Sequence, residues 1–408
     1  MARILVLTPQ LPYPPQQGTS LRNYHLLRAL AQHHTVTLLS FIESGQSQEL
    51  NPLRSVSHVL PPVNVPERSG VDRLRQLATS PEPDLALRLH DEDYATALTN
   101  ALRSEPYDIV QVEGIELARY MHTIRAAAPG VRIILDCHNA ETELQRRSLK
   151  NDLLIPMRWP AAAYSAMQIG RLARFERWAI NTADAAIAVS ETDRDHLLEL
   201  ESTGDKPIYI IPNTIDVSEY AIDSIRTPVT LDFDLVFTGK MDYRPNIDGV
   251  LWFANEIWPE IRRVRPQTTW AIVGQRPHPR LDSLRGLEGV TLTGRVPEIQ
   301  PYLKGGRVYI VPLRIGSGTR LKLIEAMAAG KAIVSTSIGA EGFPVVNGEH
   351  ILLADDPAAW AQAICSLLDD ESKRAQLGVA AQAFAAQYDW RRIVPRLDAL
   401  VAEVVKVQ

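Results

Sequence analysis

The stretch Arg307–Thr336, RVYIVPLRIGSGTRLKLIEAMAAGKAIVST, decides how this chain is read. Its first apolar run, Val308–Pro312, has the length and composition of a buried strand. A loop with two glycines follows, Gly316 and Gly318, with Ser317 between them. The spacing predicts a helix from near Thr319 that carries Arg320, Lys322 and Glu325, then a second strand over Ala332–Ser335. Such a β-loop-α-β unit presents backbone N–H groups at a helix N-terminus, where the helix dipole also favours anions. Arg320 and Lys322 add cationic donors, and Glu325 adds a carboxylate further along the same helix. A phosphate chain attached to a ribose needs that combination.

Upstream and downstream of this unit the same scheme repeats. Strand-like runs are Asp234–Thr238, Thr269–Val273, Val290–Thr293, Val308–Pro312, Ala332–Ser335 and His350–Ala354. The first three end in Gly239-Lys240, Gly274-Gln275-Arg276 and Gly294-Arg295, and the fourth leads into the glycine loop. One glycine after a strand is ordinary turn chemistry. Four such ends in one domain point to a shared ligand edge, because a parallel α/β sheet places all its strand C-termini on one side.

The N-terminal half alternates runs at Ile4–Thr8, Thr35–Phe41, Ile109–Val112, Arg132–Asp136, Ala185–Val189 and Tyr209–Ile211 with helical patterns. In Ser20–Gln32, for example, Leu21, Leu26, Leu27 and Leu30 mark one face. Leu60–Arg73 reads as an irregular connection. The pattern predicts parallel sheets covered on both faces. A polar stretch between Asn213 and Pro228 marks a boundary, so the expected domains are 1–214 and 228–388. A final helix over 389–408 is expected to pack back on the first domain.

Bulk properties agree. A chain of 408 residues suits two domains of about 200 residues each. Lys and Arg number 43 against 48 Asp and Glu, a net charge of −5, so nothing global favours nucleic acid. The two cysteines, Cys137 and Cys365, read as buried free thiols or, alternatively, one disulfide; no metal-ligand spacing is present. The opening MARILVLTPQLPYPP has too short an apolar run for a signal core or a spanning helix, and the expected location is cytoplasmic. Arg146, Arg147, Lys150, Arg158, Arg171, Arg174 and Arg177 lie in a helical region with Leu153, Leu154, Ile155, Met157 and Trp159. That mixture reads either as a helix at the inner membrane face or as a solvated helix paired with Glu141, Glu143 and Glu176.

Several stretches together resemble glycosyltransferase family 4. They are FTGKMDYRPNIDGVLWF, VTLTGRVPEIQPYL, RLKLIEAMAAGKAIVST, IGAEGF with NGEHILLADD, and, in the first half, DCHNAETELQRR, ADAAIAVSETD and IIPNTIDVSEY. The resemblance covers nearly the whole chain. It implies an α/β chain of the GT-B fold, two facing Rossmann-like domains with parallel sheets and an interdomain cleft. It also implies transfer of a hexose-type sugar, with retention, from a nucleotide-diphosphate sugar to a hydroxyl acceptor, in cell-surface polysaccharide or glycoconjugate synthesis. The acceptor would be a glycan, a lipid-linked species or a small molecule. No metal and no cofactor are implied, since cationic side chains and a helix N-terminus neutralise the leaving diphosphate.

The resemblance makes Glu325 the ribose anchor and Lys240 and Arg320 the diphosphate binders, and puts His138 on the donor-sugar face; these four are the candidate catalytic residues. Donor contacts are implied for Gly18, Gly239, Arg244, Arg295, Val296, Ser317, Gly318, Thr319, Lys322, Glu341, Gly342 and Phe343. Gly342 and Phe343 would offer backbone N–H groups, and Arg295-Val296 would read the base. Thr19 and Ser20 are helix-cap candidates. Glu113, just past its strand, is placed on the acceptor side. The chain departs from the family pattern at Ser317, where many relatives carry a glutamate, which bears on donor-sugar choice. Rival readings are a nucleotide-sugar epimerase of the same fold and a non-catalytic nucleotide-sugar-binding protein. A dinucleotide dehydrogenase fails because Leu321 stands where the third glycine of its fingerprint belongs.

Overall fold

The computed structural model describes residues 1–15, 17–43, 46, 50–153, 158–200, 206–220, 231–316 and 319–406, apart from the side chains of residues 74, 78 and 151. Ser317, Gly318, Leu154, Ile155 and Met157 lie outside the described residues, as do residues 221–230 of the expected link. The chain forms two compact units, Met1–Thr214 with Trp390–Gln408, and Ile215–Asp389.

In the first unit the strands are β1 (Arg3–Thr8), β2 (Thr35–Ile42), β3 (His58–Val59), β4 (Val63–Asn64), β5 (Ile109–Glu113), β6 (Arg132–Cys137), β7 (Ala185–Ala188) and β8 (Ile208–Ile210). Their order is β3-β2-β1-β5-β6-β7-β8, with β4 against β2, and every pair is parallel. Alternate residues feed two cores. Leu5, Leu7, Val110, Val112, Ile133 and Leu135 face one side. Ile4, Val6, Ile109, Ile134 and Ile187 face the other. That is why each strand reads as an unbroken apolar run, since both faces are covered.

The last segment completes this unit. Trp390, Ile393, Leu397, Leu400 and Val404 join the second core beside Leu26, Leu27 and Leu30 of the helix Gly18–Leu30. The Arg28 guanidinium lies 4.2 Å from the Trp390 ring centre, and Asp398 pairs with His33 and His34 at 2.7 and 3.1 Å.

The second unit contains β9 (Phe233–Thr238), β10 (Trp270–Val273), β11 (Val290–Gly294), β12 (Gly306–Val311), β13 (Ala332–Ser335) and β14 (Leu352–Leu353). These are parallel in the order β11-β10-β9-β12-β13-β14. An aromatic cluster covers one face. Phe253 packs on Trp270 at 4.7 Å and on Trp360 at 5.8 Å between ring centres. The chain enters and leaves this unit through adjacent segments: Ile215 N–H donates to Tyr388 C=O at 3.0 Å, and Val217 N–H to the Asp389 carboxylate at 3.2 Å.

Some local expectations need correction. The helix after the glycine loop is Leu321–Ala328, and Arg320 precedes it in extended conformation (φ −97°, ψ 93°). The first helix starts at Gly18 with Gln17 as its cap, so Thr19 and Ser20 lie inside it; Ser20 Oγ accepts from Gln17 N–H at 3.1 Å. The stretch read as irregular, Leu60–Arg73, holds β4 and the start of the helix Gly70–Thr79. Cys137 and Cys365 are free thiols, and they belong to different units.

Gly274, just past β10, sits so close to the end of β9 that a Cβ there would overlap the Gly239 carbonyl oxygen. The two strand ends are tied by Gly239 N–H to Val273 C=O and Met241 N–H to Gln275 C=O, both 2.9 Å. Gly274→Ala must push these ends apart. It should cost ~2–4 kcal/mol, seen as an earlier unfolding transition in urea, whereas an unchanged midpoint would contradict the close approach.

Candidate functional site

Each sheet has one point where the strand order reverses direction, and its C-terminal edge is where ligands enter an open α/β sheet. In the second unit that point lies between β9 and β12. The Gly239-Lys240 end and the Pro312–Gly316 segment flank it. The helix Arg244–Trp252 reaches the same place: a Cβ on Gly249 would come 2.5 Å from the Pro312 carbonyl oxygen.

Lys322 occupies the middle of this edge. Its Nζ donates to Asn246 Oδ1 at 2.7 Å and stands 4.2 Å from the Phe237 ring centre. Asn246 Nδ2 in turn donates to Lys240 C=O at 2.8 Å. Gly239 leaves the space, because a Cβ there would lie 2.7 Å from both the Lys322 ammonium and Asn246 Nδ2. Burial lowers the Lys322 pKa to about 7; Glu325 opposes that shift and Arg320 adds to it. Lys240 is more exposed, its Nζ 3.8 Å from Asp242.

Arg320 is buried, with Nη2 3.9 Å from Glu341 Oε2. Gly316 passes beneath it at φ +151°, and a Cβ there would collide with the guanidinium. Glu325 is half-buried one turn into the helix. Its Oε1 accepts from Tyr220 Oη at 2.7 Å. Burial raises the Glu325 pKa, while the Tyr220 hydroxyl and Lys322 pull it back and Glu219 raises it further. Arg320, Lys322, Glu325 and Lys240 are thus brought to one edge, as the sequence implied.

The remaining donor candidates spread around that edge. Arg244 opens the helix Arg244–Trp252 and is half-buried. Thr319 is half-buried beside Arg320, while Arg295 is exposed and Val296 half-buried at the end of the edge strand β11. Glu341 and Gly342 (φ +85°) follow the short helix Ser337–Ala340. Phe343 comes next in the chain. Its ring is buried against Tyr388 at 5.1 Å, and its N–H donates to Ala340 C=O at 3.3 Å.

In the first unit the order reverses between β1 and β5. Glu113 ends β5 in register with Asp136 of β6, and His138 follows that strand. Gly18 begins the helix after β1 and is exposed. The side chains of Glu113 and Asp136 are fully buried, and His138 Nε2 is 3.2 Å from Glu113 Oε2. Gln111 Nε2 donates to the other Glu113 oxygen at 2.6 Å. Arg22, from the helix Gly18–Leu30, grips both oxygens of Asp136 at 2.7–3.0 Å. It also donates to Ile211 C=O and Asn213 Oδ1 at 3.1 and 3.0 Å.

Burial pushes Asp136 up to about 7 against the pull of Arg22, raises Glu113, and lowers His138. Glu113, Asp136 and His138 offer ligand atoms within 4.8 Å of one another, a spacing that a metal ion could use. Here the guanidinium already supplies the positive charge to Asp136. The arrangement holds the His138 imidazole at the strand edge, where burial works against its protonation.

Sequence reasoning missed Arg22, Asn246 and Tyr220. Arg22 carried a signal, since it stands four residues before Leu26 on the apolar face of its helix. Tyr220 carried none. The basic helical region forms the helices Glu141–Leu153 and Trp159–Thr182. Arg147 pairs with Glu143 at 2.9 Å, and Arg171 and Arg177 donate to the carbonyls of Leu77 and Leu200. Of these contacts only Arg147–Glu143 matches the expected pairing; Glu141 accepts from Asn139, buried Glu176 accepts from Thr142, and Leu153 and Trp159 are exposed. Among the described residues no helix is long and apolar enough to cross a membrane.

Two family models match the chain: Glycosyltransferase Family 4 over residues 17–219 and Glycosyl transferases group 1 over residues 232–370. The chain belongs to glycosyltransferase family 4. Glycogen synthase of Mycobacterium tuberculosis is 27% identical to this family-4 chain over 251 residues, 57% of the chain and 58% of that relative. The chain therefore spans little more than half the length of that curated relative. Sucrose-phosphate synthase of Thermosynechococcus elongatus superposes over the full length of both chains with a TM-score of 0.72 at 17% identity. Anabaena HepE in complex with UDP-glucose does so with a TM-score of 0.64 at 16% identity. At that identity the two structures establish the GT-B fold.

Asp136→Ala leaves the Arg22 guanidinium buried without its carboxylate. It should cost ~3–5 kcal/mol, measured by urea denaturation. The double replacement Arg22→Met with Asp136→Leu should cost less than the single one. A single-variant loss under ~1 kcal/mol would show that the pair does not hold the cluster.

Proposed function

We propose that this chain is a retaining glycosyltransferase that moves a hexose-type sugar from a nucleotide-diphosphate sugar to a hydroxyl acceptor in surface polysaccharide or glycoconjugate synthesis. The observation that carries this reading is the array of Arg320, Lys322 and Glu325 at the switch point of the second sheet. A diphosphate meets two cations beside Lys240, and the free oxygen of Glu325 meets the ribose. Family membership and the UDP-glucose bound by HepE support the same donor class.

The reaction breaks the bond between the anomeric carbon and the β-phosphate oxygen and forms one to the acceptor oxygen. The acceptor proton leaves with the phosphate or to solvent. Charge grows on the β-phosphate as that bond breaks. Fixed cations in a water-poor site stabilise this charge more in the transition state than in the ground state. Arg320 and Lys322 can do this without a metal. His138, 3.2 Å from Glu113 and close to the Arg22–Asp136 pair, serves the donor sugar. The alternative, an epimerase of the same fold, differs in consuming donor with no acceptor present.

A thermal-shift panel of UDP, GDP, ADP and their sugars tests the donor class. A true ligand at 100 times its Kd stabilises by ~2.7 kcal/mol, and Glu325→Ala should abolish that gain. No stabilisation by any member would refute the reading, and donor turnover without acceptor would favour the epimerase.

Lys322 gives a second test. With its pKa near 7, the free side chain is mostly neutral at about pH 8. A bound diphosphate favours the ammonium and raises that pKa. Binding should then take up about one proton near pH 8 and almost none below about pH 6. Calorimetry in two buffers of different ionisation heat reads the uptake. Uptake unchanged in Lys322→Met would assign the proton elsewhere.

A further inference from the structure

We infer that Tyr220 is a positioning residue for Glu325, fixing the carboxylate so that one oxygen faces the ribose. This inference rests on the donor-site reading above and extends it to a residue outside the glycine-loop unit. Tyr220 is 4% exposed and ends the short turn Val217–Tyr220, which packs against the helix Leu321–Ala328. Its Oη donates to Glu325 Oε1 at 2.7 Å, a contact between residues 105 positions apart.

The turn is itself fixed. Ile215 N–H donates to Tyr388 C=O at 3.0 Å, and Val217 N–H donates to Asp389 Oδ2 at 3.2 Å. Ser218 Oγ donates to Asp216 Oδ1 at 2.5 Å. The phenol therefore reaches Glu325 from a held backbone. A glutamate side chain has three rotatable bonds, and a carboxylate free to turn would lose entropy each time it caught a ribose. With Oε1 tied to Tyr220, that ordering is done before the ligand arrives. Oε2 remains to accept from a ribose hydroxyl.

The hydrogen bond also sets charge. The groups that bear on Glu325 are Lys322 from its own helix, Glu219 and Tyr220 from the turn, and Tyr309 from β12, while Arg320 bears on Lys322. Burial favours the protonated acid, which accepts a ribose bond less well. The Tyr220 donor and Lys322 favour the carboxylate. Tyr220 stays a donor throughout, because burial beside Glu325 holds its own pKa well above the usual value.

Tyr220→Phe keeps the ring and removes the oxygen. UDP, GDP and ADP are titrated by calorimetry into the wild type, Tyr220→Phe, Glu325→Gln and the double variant, from about pH 5 to 8. The nucleotide that binds the wild type should bind Tyr220→Phe ~10-fold more weakly. Loss of the lowering influence raises the Glu325 pKa, so the acid limb of binding should move to higher pH. In the Glu325→Gln background the second change should add little. Loss of equal size in both backgrounds, with an unmoved pH profile, would mean that Tyr220 only packs. Wild-type affinity in Tyr220→Phe with loss in Glu325→Gln would overturn the positioning role alone. Undiminished binding in Glu325→Gln and in Glu325→Ala would overturn the donor-site reading with it.

Discussion

Parallel strand pairing is the constraint from which the rest of this structure follows. Neighbouring parallel strands cannot be joined by a tight turn, so the chain must cross back over a face of the sheet between them. Helices then cover both faces, and the strands turn apolar on both sides. Every strand C-terminus ends on the same edge. Gly239-Lys240, Gly274, Gly294-Arg295 and the loop before Arg320 are therefore neighbours, although they are scattered over eighty residues of chain.

At that edge the chemistry is a balance between desolvation and charge pairing. Lys322 is held under Gly239 by Asn246 and the Phe237 ring, with burial working against its positive charge. Glu325 suffers the mirror-image strain and is steadied by Tyr220 and Lys322. The first unit resolves the same tension internally. There the Arg22 guanidinium neutralises Asp136, and Glu113 lies within reach of His138.

Much of this was legible in residue order. The strands expected from the sequence fell within about two residues of the structure, because strands buried on both faces announce themselves as apolar runs, whereas the two-residue strands β3 and β4 were missed. Glu325 and Lys322 were found because one helix presents them on adjacent turns. Arg320 was read into the helix because backbone conformation at a cap depends on the loop before it.

By itself the sequence determined the parallel α/β architecture, the shared edge of strand ends and the charged residues of the helix that follows β12, because these depend on periodicity and short-range spacing. Only the tertiary structure decided which distant side chains meet within each unit. Arg22 meets Asp136 across 114 positions, Lys322 meets Asn246 across 76, and Tyr220 meets Glu325 across 105. No local pattern encodes such contacts. They exist because the sheet order of each unit brings the ends of its own strands and turns together, and a buried charge there is stable only beside the partner that the fold delivers.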